Sequence, residues 1–511
     1  MRRFWPLLLL AACQSNGDSP HYDLIIRGGT VYDGSLQNGI ATDIGIRGDR
    51  IVSVAAEKNA TASSVIDATG LMVMPGFIDP HTHATTTLRS PETSANLNYL
   101  TQGVTTVFIG NDGYGVSDAS LLTFAEQGIG TNVATLVGHG LVRKQVMGMA
   151  DRQANAAEIT AMQEIVAEQM RAGAFGLSTG LFYAPGSYAD TAEVIELART
   201  AAQFNGIYDT HMRSESSHAD GLLAALEETL LIGREAPIPV HISHLKALGK
   251  DMWGQYEGLL ARINEARAAG IDVTANQYPW RASGTRFSSA LVPRWVMADS
   301  SDKMRERLAS AELLPQIRDE MTSNLALRGG PDAMLVSGAE SPWRGQTLAE
   351  IATTMETDPV TAAIEVVLNG DPSIASFVMH PDVINAIAVQ PWVMTGSDGS
   401  GGHPRLFGTY PKAWQDLVTT KLLSIPQFVH RSSGLVAETF GICDRGFIRN
   451  GAYADIAIID AKNFHANATY EAPTELSDGV KYLLVNGIVA IDNSRYPGTL
   501  PGKILRHGAC P

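Results

Sequence analysis

Eight short apolar runs alternate with helical stretches between residues 73 and 399, and this alternation limits the fold more than any other feature. The runs are VMPGFID, TTVFIG, NVATLVG, AFGLSTG, GIYDTH, IPVHISH, IDVTANQYP and WVMTGSDG. Amphipathic stretches such as ANAAEITAMQEIVAEQMRAG lie between most of them and end in a glycine that suits a helix C-cap. The pattern predicts an α/β fold, a parallel TIM-like (β/α)8 barrel. A doubly wound open sheet is the second interpretation, but no GxGxxG follows the first run.

Short β segments flank this middle part on both sides. Turn glycines separate YDLIIRGGTVYDG, DIGIRGDRIVSVA and SSVIDATGLMVMPG, and two further apolar segments, ADIAIIDA and VKYLLVNGIVAID, follow the last run. We predict one small β domain built from residues 21–74 and 447–511, around a barrel of residues 75–446. The stretch from about 282 to 375 is too long for one strand–helix connection and is interpreted as an insertion.

Residues 1–20 have the character of a targeting segment and tether. Arg2 and Arg3 precede an apolar run from Phe4 to Ala12, far shorter than the roughly 20 residues that span a bilayer. The run ends in LAAC, which resembles a bacterial lipobox with cleavage before Cys13 and acylation of that residue. A cleavable signal with a coincidental cysteine is the alternative. The lipobox predicts a protein held on a cell-envelope membrane only through Cys13, facing the periplasm, with the outer membrane as the expected site.

Charge and cysteine content narrow the partners. A formal net charge of -15 without a basic run argues against nucleic acid and anionic membrane surfaces, but it says little about the small-molecule substrate that is expected on other grounds. Cys443 and Cys510 could pair in an oxidising envelope, although nothing in the sequence brings them together. The sequence does not determine the oligomeric state.

Polar side chains recur where the apolar runs end. In a parallel barrel these ends meet at one face, which carries the chemistry. The residues are His81 and His83 after the first run, then Asp112, His139, His211, His244, Tyr278 and Asp398 after later ones. A lone histidine on an apolar strand is usually a core residue, but four of these five histidines, all except His139, together with two carboxylates at equivalent ends favour a metal centre. The first two histidines are two residues apart, so both side chains point to one face of a strand.

Asp112 has two interpretations. It follows TTVFIGN at a glycine-rich break, where a turn aspartate that caps the next helix is the ordinary one. Beside the other strand ends it is a candidate ligand that could bridge two ions. Imidazoles and carboxylates suit zinc and neighbouring divalent metals, which polarise a carbonyl and lower the pKa of a bound water.

The stretch PGFIDPHTH, from Pro75 to His83, resembles the opening signature of the amidohydrolase superfamily. More narrowly, TQGVTTVFIGN, GLSTGLFYAPG, YDTHMRSE, ISHLKALGK and HPRLFGTYP are similar to the N-acyl-D-amino-acid deacylases, the D-aminoacylases. The resemblance runs through most of the chain. It implies a zinc-dependent barrel with a small β domain and an inserted lid, which hydrolyses the amide of N-acyl-D-amino acids. The expected envelope location adds dipeptides with a C-terminal D residue as candidate substrates.

The same resemblance implies a ligand set. His211 and His244 match the histidines of the family's tightly bound zinc, and His81 and His83 match a weaker second metal site. The family's GNCG is GNDG here, so Asp112 takes the place of a cysteine ligand. Because a carboxylate is harder than a thiolate and can bridge two ions, one or two ions of Zn²⁺ or another divalent metal are expected.

Catalytic and substrate-binding roles also follow from the resemblance. Asp398, in GSDG, matches the catalytic aspartate, which is also a metal ligand and would move a proton from water to the leaving amine. A turn carboxylate is its alternative. Lys246, Tyr278 and Arg405 match the contacts of the substrate carboxylate, although the loop before Arg405 looks shorter than in the family. His139 is a candidate pocket residue without an assigned role.

Two interpretations from other classes stay open. One is an amidohydrolase that acts on a cyclic amide, like hydantoinases or dihydroorotases; the absence of a barrel lysine that could be carboxylated disfavours it. The other is a non-catalytic envelope lipoprotein on the same scaffold, which the intact histidines and Asp398 disfavour.

Overall fold

The structure is a computed structural model, and it describes residues 21–217 and 220–509. The lipobox with Cys13 lies outside the described residues, so lipidation stays a prediction. Cys443 is disulfide-bonded, but Cys510 also lies outside, so their pairing stays a prediction as well. Among the described helices, none is both long and apolar enough to cross a membrane.

The described strands and helices follow in chain order. The strands are β1 (His21–Arg27), β2 (Thr30–Val31), β3 (Ile40–Ala41), β4 (Ile44–Arg47), β5 (Arg50–Val54), β6 (Thr61–Asp67), β7 (Met72–Pro75), β8 (Phe77–Asp79), β9 (Val104–Ile109), β10 (Asn132–Thr135), β11 (Val137–Gly138), β12 (Gly176–Gly180), β13 (Ile207–His211), β14 (Val240–Ile242), β15 (Val273–Gln277), β16 (Ser283–Arg286), β17 (Met334–Val336), β18 (Ser373–Ser376), β19 (Val393–Thr395), β20 (Ile456–Ile459), β21 (Val480–Val485) and β22 (Ile488–Ile491). The α-helices are α1 (Thr85–Leu88), α2 (Leu97–Leu100), α3 (Asp118–Gln127), α4 (His139–Met147), α5 (Ala156–Arg171), α6 (Thr191–Ala202), α7 (Leu222–Glu235), α8 (Tyr256–Ala268), α9 (Phe287–Leu291), α10 (Ser301–Leu308), α11 (Leu314–Leu327), α12 (Leu348–Thr354), α13 (Pro359–Leu368), α14 (Pro381–Ala388), α15 (Arg405–Ala413), α16 (Ile425–Ser432) and α17 (Gly434–Phe440).

A closed parallel barrel forms the centre of the molecule, which confirms the predicted fold class. Its hydrogen-bonded strand orders are β10-β9-β8 and β11-β12-β13-β14-β15-β19, and β10 continues into β11 past Leu136. A parallel bridge between Thr82 and Gly399 joins the ends of β8 and β19 and closes the ring. Each predicted apolar run contains or overlaps one position of the barrel.

Burial explains why these runs form strands. All six residues of β9 are buried, as expected for a parallel strand covered on both faces. The helices outside carry one apolar face each. In α5, for example, Asn155 and Glu158 form a capping box, and Met162, Val166 and Met170 are the buried residues at a spacing of four.

Both ends of the described chain contribute to the small β domain. Its sheets have the orders β5-β4-β1-β6 and β22-β21-β20-β7-β2-β3. In the second sheet β20 pairs antiparallel with β7, from Ile456 opposite Pro75 to Ile459 opposite Met72. Because β7 leads directly into β8, this sheet holds the entry to the barrel in place.

The insertion forms a folded subdomain above the barrel. Its three strands pair in the order β16-β18-β17, and α9 to α13 surround a core of their own. Gly284, Thr285, Arg286, Ser337 and Ser373 from this subdomain line the cleft over the strand ends. This contact favours the lid over a surface subdomain remote from substrate.

A buried ion pair connects the β domain to the barrel. The Asp455 carboxylate accepts hydrogen bonds from the Arg445 guanidinium, from the Asn486 backbone N–H at 2.7 Å and from the Asn132 side chain on β10 at 3.3 Å. Asp455 and Arg445 are both buried. A buried charge without its partner is expensive, so each of the two depends on the other.

Asp455→Ala should therefore destabilise the protein by about 3–5 kcal/mol, because it leaves Arg445 buried and unpaired. Denaturant unfolding monitored by circular dichroism measures this. Asp319→Ala, at an exposed helical position, is the matched control and should stay within about 0.5 kcal/mol. Equal stability of the two variants would show that the pair does not hold the domains together.

Candidate active site

Two histidines follow β8 at the open end of the barrel. The Nε2 atom of His81 lies 3.4 Å from Oδ1 of Asp112 and 3.6 Å from Oδ1 of Asp398. The Nε2 atom of His83 lies 3.5 Å from Oδ2 of Asp112 and 3.1 Å from Oδ1 of Asp398. The four side chains can hold one ion together.

A second group shares Asp112 with the first. Oδ1 of Asp112 lies 3.7 Å from Nδ1 of His211 and 3.4 Å from Nε2 of His244, and these two nitrogens are 2.9 Å apart. The groups therefore meet at one carboxylate. All six side chains that the sequence nominates as ligands converge here; their roles as ligands stay predictions.

The donor atoms suit a divalent metal. Nε2 of His81 and Oδ1 of Asp112 are buried and have no hydrogen-bond partner among the described residues. Buried polar atoms without partners are costly, and an ion between them would satisfy both. Mixed imidazole and carboxylate ligands fit zinc and its neighbours.

Backbone geometry aims several of these side chains. Asp112, His244 and Asp398 have φ values of 56°, 35° and 47°, in the left-handed region that residues other than glycine seldom adopt. Aspartate tolerates this conformation better than most residues, and histidine is also enriched there. Such conformations concentrate at functional sites, where the surrounding structure holds them.

The electrostatics keep the two carboxylates ionised and His81 neutral, whereas the neighbouring carboxylates, against the effect of burial, raise the pKa of His83 and of His244 to about 9. Burial opposes ionisation of Asp112, yet His81 and His244 hold the pKa of its carboxyl well below the usual range. The pKa of Asp398 is also lowered, because Arg405 and the histidines outweigh the effect of burial. Burial lowers the pKa of His81 to about 4. Ionised carboxylates and a neutral imidazole are the forms that bind metal.

Lys246, Tyr278 and Arg405 lie together beside this cluster. Nζ of Lys246 and Cζ of Arg405 are 5.8 Å and 4.8 Å from the centre of the Tyr278 ring. Arg405 forms an ion pair with Asp398, with 2.7 Å between Nη1 and Oδ2. The Tyr278 hydroxyl is buried and has no hydrogen-bond partner among the described residues.

Glu215 is a buried residue of the site that the sequence reasoning missed. Its Oε1 lies 2.6 Å from Nζ of Lys246 and 3.0 Å from Nδ1 of His244, and its Oε2 lies 3.7 Å from Nε2 of His211. It therefore contacts both histidines on the side away from Asp112, a position that orients metal-binding imidazoles. The available signal was its place four residues after His211 in the motif YDTHMRSE.

Two further buried carboxylates were missed beneath the cluster. Burial raises the pKa of Asp79 and of Asp209 to about 7. Asp79 accepts backbone hydrogen bonds from His81 at 3.2 Å and from Ser397 at 3.0 Å. The Asp209 carboxylate accepts a hydrogen bond from the Ser243 hydroxyl at 2.8 Å. Each lies within a strand two residues before a ligand candidate, and strand alternation would have placed both on the same face.

His139 has a structural partner instead of a place among the candidate ligands. Its Nε2 lies 2.8 Å from Oε1 of Glu193, whose other oxygen pairs with Arg143. All three side chains are buried. Neither ligand group of the described chain includes this histidine.

A cleft of about 660 Å³ opens over the cluster. His83, Asp112 and Asp398 lie in its wall together with lid residues and Arg405. The arrangement places candidate metal ligands, among them the Asp398 carboxylate, and the Arg405 cation in one cleft. These are the groups that metal-assisted hydrolysis requires.

Sequence comparisons identify relatives of nearly the full length. A family model described as the amidohydrolase family matches residues 64–228. The chain is 33% identical to a D-aminoacylase of Alcaligenes xylosoxydans xylosoxydans, over 97% of the chain and 100% of the relative. It is also 33% identical to an N-acyl-D-glutamate deacylase of the same organism, over 95% of the chain and 97% of the relative.

Solved structures give the same result. The crystal structure of an N-acyl-D-glutamate deacylase from Bordetella bronchiseptica, with zinc and a phosphonate mimic of the tetrahedral intermediate, matches with a TM-score of 0.82 and 30% identity, over 95% of this chain and 100% of that one. A D-aminoacylase structure with a binuclear metal centre matches with a TM-score of 0.80 and 31% identity, over the same shares of the two chains.

Asp112→Ala should weaken zinc binding by more than about 100-fold. Partners outside the ligand set already change metal affinity by about 10–100-fold, and this carboxylate is shared by both groups. Chelator competition and metal analysis after gel filtration measure it. Asp118→Ala, at the exposed start of α3, is the control and should keep the metal content of the wild type. Unchanged zinc affinity in Asp112→Ala would return Asp112 to the role of a turn residue.

Proposed function

Because the chain belongs to the N-acyl-D-amino-acid deacylase family of the amidohydrolases, we infer that it hydrolyses the amide bond of N-acyl-D-amino acids and releases the free D-amino acid. The reaction depends on zinc or a related divalent metal, as similarity to zinc-containing and binuclear deacylases supports. The single observation that carries this inference is the pair of ligand groups joined at Asp112 at the open end of the barrel.

We assign the metal to the side chains that converge there. His81, His83 and Asp398 would hold one ion, His211 and His244 a second, and Asp112 would take part in both groups. A divalent ion in this place supplies Lewis acidity, which polarises a carbonyl and lowers the pKa of water. Glu215, behind two of the imidazoles, keeps them oriented.

Asp398 is the proposed proton carrier. Its Oδ1 faces the cluster, and its Oδ2 is held by Arg405. The oxygen of a water molecule bonds to the carbonyl carbon, the C–N bond breaks, and the electron pair of that bond stays on nitrogen. Asp398 takes a proton from the water and delivers it to the departing nitrogen, so the products are a carboxylic acid and a free amine.

Lys246, Tyr278 and Arg405 are the proposed contacts of the substrate carboxylate. The Tyr278 hydroxyl supports this assignment most directly, because a buried donor without a partner is costly until a ligand accepts from it. The Arg405 guanidinium offers several parallel N–H donors, which suit a carboxylate. Lys246 stays charged beside Glu215 and adds positive potential to the same wall.

The assay uses the chain from Gln14 to Pro511, loaded separately with zinc, cobalt or manganese. Release of free amine is followed from matched D and L N-acetyl amino acids, from dipeptides with a C-terminal D residue and from cyclic amides. We expect preference for the D isomer by at least about 100-fold, because an inverted centre displaces the reacting carbonyl once the carboxylate is anchored.

Asp398→Asn is the companion variant and should lower kcat by about 10²–10⁴-fold. Hydrolysis of cyclic amides alone would contradict the deacylase assignment. Absence of turnover with every metal and substrate would instead favour the non-catalytic scaffold.

We also propose that the protein is a lipid-anchored envelope protein facing the periplasm. Two features support this location: the motif LAAC that ends at Cys13, and the disulfide at Cys443, since disulfides persist in oxidising compartments. Acyl chains on a tether of a few residues would hold the barrel at a membrane surface without a spanning helix.

Membrane fractionation of a diderm bacterial host tests this location. The wild-type protein should sediment with the outer membrane, and Cys13→Ser should appear in the soluble or unprocessed fraction, because it cannot be acylated. Globomycin, which blocks lipoprotein signal peptidase, should convert the wild type to its unprocessed form and leave the state of Cys13→Ser unchanged. A wild-type protein recovered in the soluble fraction would contradict the anchor.

A further inference from the structure

Two small cavities lie side by side under the lid, and the inner one belongs to the active site. The inner cavity is lined by His211, His244, Lys246 and Asp398 of the site described above. The neighbouring cavity is lined mostly by lid residues, which include Arg294. Four residues line both cavities and join them, namely Phe182, Ser216, Leu248 and Arg328. The two cavities are narrow, about 30 Å³ each, and together they form a pocket that leads from the cluster toward the lid.

Two arginines mark this pocket. Cζ of Arg294 lies 4.2 Å from the centre of the Phe182 ring, and Cζ of Arg328 lies 5.8 Å from the same centre. Both side chains are half-buried. They belong to the lid, whereas Phe182 follows β12 of the barrel, so the pocket is assembled where the lid meets the barrel.

Neither guanidinium has a carboxylate partner among the described residues, although every buried cation of the site described above has one. Arg294 donates only to backbone carbonyls, of Ser289 at 3.0 Å and Val292 at 3.4 Å, and contacts the Met297 sulfur. For Arg328 no side-chain hydrogen bond or ion pair occurs within residues 21–217 and 220–509. The pair contrasts with Arg405 and Lys246, which face Asp398 and Glu215.

Two like charges in one partly buried pocket are unfavourable. Burial lowers the pKa of Arg294 to about 10, and the charge of Arg328 acts in the same direction. Burial also lowers the pKa of Arg328, against the influence of Tyr183 and Glu215. Both groups nevertheless stay protonated at neutral pH. A pocket of this kind gains most from a ligand that brings a negative charge.

We propose that Arg294 and Arg328 form the side-chain subsite of the enzyme, and that its preferred substrates are N-acyl-D-amino acids with an acidic side chain. This rests on the proposed function. The α-carboxylate would lie at Tyr278 and Arg405, and the second carboxylate would reach Arg328. Planar guanidinium groups bind carboxylates through two parallel hydrogen bonds.

The walls of the pocket fit the rest of such a side chain. Leu248 and the Phe182 ring line the passage between the two cavities and offer apolar contact to one or two methylene groups. A neutral side chain would fill the passage but leave both arginines without a counter-charge. A cationic side chain would be repelled. The two relatives of equal identity, the D-aminoacylase and the N-acyl-D-glutamate deacylase, do not decide between these classes.

The test compares N-acetyl-D-glutamate, N-acetyl-D-aspartate and the neutral, nearly isosteric N-acetyl-D-glutamine with the zinc-loaded enzyme. The wild type should prefer an acidic substrate over glutamine by at least about 100-fold in kcat/KM, since a pocket built for polar contacts rejects a ligand that cannot make them. The ratio of kcat/KM for N-acetyl-D-glutamate to kcat/KM for N-acetyl-D-aspartate shows which side-chain length reaches Arg328.

Arg328→Met and Arg294→Met should each lower kcat/KM for the preferred acidic substrate by at least about 10-fold, mainly through KM, and leave glutamine within about 3-fold. Arg328→Lys should recover part of the loss. Arg305→Met, at an exposed position of the same lid, is the matched control and should behave as the wild type. Thermal unfolding of each variant shows whether it is folded.

Three results would overturn the subsite. One is a wild type that prefers glutamine or does not discriminate. Another is a folded Arg328→Met variant that loses the acidic and neutral substrates equally, as a purely structural arginine would. If no N-acyl-D-amino acid is hydrolysed, the proposed function fails separately, and calorimetry of D-glutamate against D-glutamine binding to the zinc-loaded protein decides the subsite. Equal binding would then overturn it, and tighter binding of D-glutamate would support it.

Discussion

Closure of the barrel between its first and last strands is the constraint on which the site depends. The backbone N–H of Asp398 donates to the carbonyl of His81 at 2.9 Å, and that of His83 donates to the carbonyl of Gly399 at 3.1 Å. Residues His83 and Asp398 are 315 positions apart in the chain. Because these contacts are made by the backbone, the two strand ends face each other independently of the side chains that they carry. Asp112 then lies close enough to complete both ligand groups.

Charge balance is the second organising feature of the site. Asp398 faces Arg405, Glu215 faces Lys246, and Asp112 lies among imidazoles. Buried charges are tolerated when they are paired, so the cluster forms a compensated set before any substrate binds. Arg294 and Arg328 of the lid have no carboxylate partner among the described residues, so their charges are not compensated in this way. For that reason they indicate a charge on the side chain of the ligand, whereas the paired cations Arg405 and Lys246 lie at the proposed contacts of its α-carboxylate.

The lid and the β domain serve the barrel in different ways. The β domain pairs β7 with β20 directly before β8, so it fixes the strand that leads into His81 and His83. The lid has its own core and contributes polar residues to the roof of the cleft. The β domain thus contributes stability and positions the ligands, whereas the lid contributes to the selection of substrates. Loops and insertions carried by a rigid scaffold commonly hold this second role.

The order of apolar runs, helical stretches and flanking β segments was sufficient to predict the barrel, its β domain and the candidate ligands. Apolar runs of strand length recur between helical stretches, and the polar residue that ends each run must lie at one face once the strands are parallel. The sequence also identified Asp112 as the residue that distinguishes this chain from the cysteine-containing pattern. That both ligand groups share this carboxylate is visible only in the folded protein, because it depends on distances across the barrel. Arg294 and Arg328 were equally out of reach, because an insertion carries no local pattern that states which strand end it will cover, whereas Glu215 stands in the motif YDTHMRSE four residues after His211.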